Sequence, residues 1–109
     1  MNKEDYMTKK DYIVFLNSVL IKLQNAINFL IQEKSKHILC YHKVLGVQQK
    51  IAGLPKEYKN KLFVQLITVR GIINYLLNGR YDEALKTLIA LQKEISKILH
   101  KLQNEDNSK

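Results

Sequence analysis

The sequence has no tryptophan, a single cysteine, a single proline and only four glycines among its 109 residues. An all-β sandwich needs many turns, and the residues that build turns are too few here to supply them. Helices joined by few connections are favoured. The lone Cys40 has no partner for an internal disulfide, in keeping with a reducing compartment. Long hydrophobic runs are missing too. Apolar stretches reach three or four residues, as at 13–16, whereas a membrane-spanning helix takes ~20, so no span is expected. Residues 1–11 carry both charge signs without an apolar core or a cleavage site, so no secretory signal is visible and a cytoplasmic or nuclear setting is expected. Arginine is scarce as well: Arg70 and Arg80 are the only two among 18 basic residues.

What is present is an ordinary globular balance, 46% hydrophobic and 26% charged, far from the signature of disorder. The length suits one domain with one core. The net charge is +8 and the pI about 9.6, which suits nucleic acid, acidic lipid or an acidic protein as partner. Nearly all of that charge is lysine. Lysine attracts phosphate as a point charge but lacks the bidentate fork that reads bases.

Along the chain, Thr8 and Asp11 have the spacing of a capping box, and a helix starts there. Tyr12, Leu16, Val19, Leu23, Ala26 and Leu30 then step by three and four, with Ile13, Leu20 and Ile27 widening the face. The polar cluster 32–36 ends this pattern. Ser35 is a reasonable N-cap for a second helix that would bury Ile38, Tyr41, Leu45 and Ile51. Gly53 and Pro55 close it, the glycine through its tolerance of left-handed backbone and the proline as a helix starter. A third helix over 55–77 would bury Leu62, Leu66, Val69, Ile73 and Leu76, and Asn78-Gly79 stops it. The fourth opens at Tyr81-Asp82-Glu83, where acids favour the helix start. Its seam is Tyr81, Ala84, Leu88, Leu91, Ile95, Ile98 and Leu102, at a 3.5-residue period. Short connections join antiparallel neighbours, so the fold expected is an all-α antiparallel bundle of four or five helices, flexible at 1–9 and 104–109. The seam of the last helix could also pair with a second copy as a homo-oligomer, although burial within the monomer is its favoured use.

Catalytic and metal patterns are weak. His37, Cys40 and His42 have metal-like spacing, but at ~100° per residue His42 points about 160° away from Cys40, and no further cysteine completes a tetrahedral set. No acid or amide is placed to orient a Cys–His pair, and no phosphate-binding, dinucleotide or calcium loop is present. No enzyme activity and no cofactor are expected. His100, preceded by Lys93 and Lys97, suits the negative end of a helix. The lysines Lys34, Lys36, Lys43, Lys50, Lys56, Lys59 and Lys61 gather around the second helix and the connection after it, interleaved with Tyr41 and Tyr58. They form a candidate basic patch for phosphate contacts.

The string Asn78-Gly79-Arg80-Tyr81-Asp82-Glu83-Ala84-Leu85, with the helical stretches 45–54 and 66–77 before it, resembles the C-terminal helical domain shared by the outer COPII coat scaffold protein and the steroid receptor RNA activator protein. Tyr81, Asp82 and Ala84 match that family's aromatic-acid-x-alanine helix start, and the resemblance covers roughly 44–101. The family tends to have a separate fifth helix with a buried tryptophan, which this chain lacks. The resemblance implies a non-enzymatic protein-interaction domain, in its most specific form one that assembles a vesicle coat at the endoplasmic reticulum, with Tyr81 and Asp82 as candidate partner-binding residues. The alternative is a basic bundle that binds nucleic acid through lysine–phosphate contacts.

Overall fold

A computed structural model describes residues 7–33 and 36–107, which form five α-helices and, among the described residues, no strand. Helix α1 (Lys9–Gln32) starts at the capping box: the Asp11 N–H donates to Thr8 Oγ1 at 3.0 Å and the Thr8 N–H to Asp11 Oδ2 at 3.2 Å. Its buried residues are Tyr12, Leu16, Val19, Leu23, Ala26, Ile27 and Leu30, the face that its periodicity sets out. By length and composition alone α1 is apolar enough to cross a membrane, a property that counting uninterrupted runs does not detect. One stripe of it belongs to the common core, while Val14, Ile21 and Ile31 are exposed.

Helix α2 (His37–Ala52) is rotated from expectation. Cys40, Val44, Val47 and Ile51 are buried, while Ile38 is 57% exposed and Tyr41 and Leu45 are half-buried. Apolar residues surround this helix, so two stripes fit its periodicity, and the packing against α1 and α4 selects one of them. The expected N-cap Ser35 lies outside the described residues. Lys36 stands at the cap position and makes no side-chain capping bond. At the other end Gly53 has φ −85°, right-handed, and its N–H donates to the Gln49 carbonyl at 3.0 Å. The boundary therefore falls where expected without a left-handed glycine. Pro55 stops the helix, since it disfavours helical backbone in the residue before it.

The single helix expected over 55–77 is two: α3 (Lys56–Lys61) and α4 (Phe63–Leu77), broken at Leu62 with φ −110°. Neither glycine nor proline stands at the break. Leu62 is fully buried while α3 itself buries nothing, so the chain turns to seat one leucine in the core. In α4 the buried residues are Gln65, Leu66, Val69, Ile72 and Leu76. Ile72 replaces the expected Ile73, which is half-buried.

A Schellman turn ends α4. Gly79, at φ +72°, donates to the Leu76 carbonyl, and the Arg80 N–H donates to the Tyr75 carbonyl at 2.8 Å. Helix α5 (Tyr81–Asn107) follows and runs unbroken through part of the tail expected to be flexible. The expected flexible residues 1–6, 108 and 109 lie outside the described residues. Ala84, Leu88, Leu91 and Ile95 of its seam are wholly buried, Leu99 joins them, and Tyr81, Ile98 and Leu102 pack at the margin. The seam named for a homo-oligomer is thus the inner face of the bundle.

The helices pack in the cyclic order α1, α2, α4, α5, each against two neighbours. Contacts between Lys9 and Glu105 and between Gln24 and Gln92 make α1 and α5 antiparallel. The architecture is an antiparallel four-helix bundle with α3 as a short fifth helix across one end.

Candidate functional site

The start of α2, the end of α4 and the start of α5 meet at one end of the bundle. The Schellman turn aims α5 back across α4, which sets Tyr81 beside the start of α2. There the Tyr81 and His37 rings stack, with centroids 4.8 Å apart and planes 27° from parallel. Around this stack lies a cleft of about 410 Å³ lined by His37, Ile38, Tyr41, Leu76, Leu77, Gly79 and Tyr81. Its volume falls within the range of ligand-sized sites. Ile38 is 57% exposed and Leu77 67%. Large aliphatic side chains beside a concave site offer a partner more than isolated surface leucines do.

Arg80, next to Tyr81, is placed by Glu83 at 3.3 Å and by the Tyr75 ring, 5.4 Å from its guanidinium. Tyr81 is half-buried and Asp82 exposed in the first turn of α5. The structure therefore brings Tyr81 into the cleft and leaves Asp82 on the outer surface. Sequence reasoning missed Ile38 as a surface residue, because it was assigned to the core, and missed Leu77 and the ring stack altogether. The proximity of His37 and Tyr81 depends on the loop geometry, for which 44 residues of separation leave no local signal.

The candidate lysines divide. Lys34 lies outside the described residues. Lys36, Lys43 and Lys50 recur every seven residues, so they form a row along one flank of α2, roughly 21 Å long at ~1.5 Å per residue. Lys56, Lys59 and Lys61 sit on α3 at the end opposite the cleft, with the Lys61 ammonium 5.0 Å from the Tyr58 ring. A further row on α5 (Lys86, Lys93, Lys97 and Lys101) is exposed and lies outside the candidate basic patch. Its spacing of four and seven was the signal. Residues 34–80 hold nine Lys and Arg against one acid, Glu57, while the rest of the chain holds nine of each. The entire net charge therefore belongs to the segment of α2, α3 and α4.

The His37, Cys40 and His42 set does not converge. His37 faces Tyr81, His42 is exposed with its ring edge-on to Tyr41, and Cys40 is fully buried between them. Burial pushes the Cys40 thiol up to about 11, which keeps it protonated and a poor nucleophile at neutral pH. Among the described residues no three His, Cys, Asp or Glu side chains are grouped so as to hold a metal ion. His100 is exposed on α5, its Nε2 3.1 Å from Asn104 Nδ2.

Compared with protein-family models, with curated proteins and with solved structures, the chain matches none.

Proposed function

We propose that this protein is a non-catalytic helical binding module that takes a protein partner in the cleft between α2, α4 and the start of α5. The observation that carries this reading is the cleft itself, with exposed Ile38 and Leu77 at its mouth and the His37–Tyr81 stack in its wall. Such a site accepts one or two large apolar side chains from a partner helix or extended segment, the usual anchors of peptide recognition. Tyr81 contributes an amphipathic ring that loses little conformational freedom on binding, because the stack already orders it. On the resemblance of 44–101 to the coat-scaffold domain, the most specific form of the reading has a vesicle-coat subunit as that partner, at the endoplasmic reticulum surface.

The test is affinity capture of the tagged chain from its native lysate, with and without nuclease, beside the variant Ile38→Asp/Leu77→Asp. Both positions are exposed, so the variant should keep its helical signal. A retained protein that survives nuclease and is lost with the double variant supports the cleft. Retention that ignores the variant, or that vanishes with nuclease, overturns it.

A further inference from the structure

At the end opposite the cleft, α3, which carries Lys56, Lys59 and Lys61, leads directly into the first turns of α4, which carry Phe63, Val64 and Ile67. Phe63 is 56% exposed, Val64 62% and Ile67 51%. At ~100° per residue these three fall within an arc of about 100° on α4. A helix that is apolar outside as well as inside requires an explanation, since an outer face ordinarily carries the polar residues. The charges around this ridge are mostly positive. Arg70 is the sole charged residue of α4, and Glu57 on α3 is the one acid in 34–80. Glu94 reaches α4 from α5, where Gln65 donates to it at 3.2 Å.

Cations alone would suit any phosphate-bearing surface, and the apolar ridge separates the possibilities. Of the three ridge residues only Phe63 carries a ring on which a base could stack, and Val64 and Ile67 give nothing to a base or to a nucleic-acid backbone. They do suit the boundary between headgroups and acyl chains. Lysines at the margin of such a ridge lay their stems along apolar surface and keep their ammonium groups among anionic headgroups.

We propose that α3 and the start of α4 dock on the surface of an anionic lipid bilayer, with Phe63, Val64 and Ile67 entering the headgroup–acyl boundary and Lys56, Lys59 and Lys61 holding the headgroups. The docking is peripheral, and the bundle keeps its core. It uses a surface distinct from the cleft, so a partner and a membrane could be held together.

Co-sedimentation of the full chain with phosphatidylserine–phosphatidylcholine vesicles, against phosphatidylcholine alone, tests the proposal. The chain should sediment with the anionic vesicles only, and less as salt is added. Each lysine changed in Lys56→Gln/Lys59→Gln/Lys61→Gln should lower partitioning about fivefold, the factor expected for one basic residue near an anionic surface. Val64→Ser/Ile67→Ser should lose the vesicles while circular dichroism stays unchanged. Equal partitioning to neutral vesicles, or anionic binding that survives Val64→Ser/Ile67→Ser, would overturn it. So would a single-stranded oligonucleotide bound equally by that variant and competing the chain off vesicles. Leu77→Asp, at the far end of α4, should leave vesicle binding intact, and a loss there would refute the assignment to this corner.

Discussion

Helices α1 and α5 pack side by side, and so do α2 and α4, yet the two pairs use their outer surfaces differently. Across the first pair Gln92 donates to Gln24 at 2.7 Å and Lys9 reaches Glu105 at 3.4 Å. The segments that contain this pair, 1–33 and 81–109, are balanced in charge. The second pair lies in the segment that holds the whole net charge. Six of the ten large hydrophobic residues exposed among the described residues also belong to it: Ile38, Leu39, Phe63, Val64, Ile67 and Leu77. Both pairs contribute to the core, twelve buried hydrophobic residues from α1 and α5 and eight from α2 and α4, and their outer surfaces differ more sharply. The α1–α5 side balances its charge and pairs Lys9 with Glu105 and Gln92 with Gln24 within the chain, whereas the α2–α4 side presents apolar surface and unbalanced charge whose natural complement is another molecule.

Stability measurements can break this contrast. The largest effect is expected in the core: Leu88→Ala on α5, wholly buried, should cost about 2–5 kcal/mol in urea denaturation, because a cavity adds to the lost transfer energy. Leu16→Ala on α1 belongs to the same class.

Alkaline pH comes next. Burial, with the neighbouring Tyr58 assisting, raises Tyr12 from 10.0 to about 12. The folded state holds this proton more tightly than the unfolded chain, so its stability is fully present below pH 10 and is lost as pH rises toward about 12. The loss should be on the order of 2 kcal/mol, and Tyr12→Phe should flatten that part of the melting-temperature profile. Cys40 acts in the same direction between 9.0 and about 11, so Cys40→Val should delay the onset of the decline.

A smaller effect, about 1 kcal/mol, is expected for Thr8→Ala, which removes the side-chain half of the α1 cap. The smallest sharpens the comparison most. Val64→Ser/Ile67→Ser should shift stability by no more than about 0.5 kcal/mol per site. A cost near that of Leu88→Ala would mean that the ridge stabilises the fold, and the contrast between the two sides would fail.

How much of this was legible varies with the helix. In α1 one apolar stripe runs the length of the helix, with Val14, Ile21 and Ile31 outside it, and Tyr12, Leu16, Val19 and Leu23 on that stripe face inward. In α2 the stripe of Ile38, Tyr41 and Leu45 and that of Cys40, Val44 and Val47 are both apolar, and the sequence holds no basis for choosing. The Leu62 break was silent because no residue there disfavours a helix. In the candidate site, Tyr81 was named on the resemblance of its helix start to a known family, and the structure sets it in the wall of the cleft. Ile38 and Leu77 were not named as site residues, because a hydrophobic residue in a helix reads as core until its neighbours are known. The exposed ridge of α4 did leave a trace, since Phe63, Val64 and Ile67 fall outside the stripe of Leu66, Val69 and Leu76.

The sequence by itself determined the helices, most of their ends and the excess of lysine, because capping, periodicity and charge are local or additive properties. The cyclic order of the helices, the face that α2 buries, the turn at Leu62 and the meeting of His37 with Tyr81 were decided only by the tertiary structure. Each depends on which surfaces close around a shared core, and burial rewards a contact without regard to the distance between its residues along the chain.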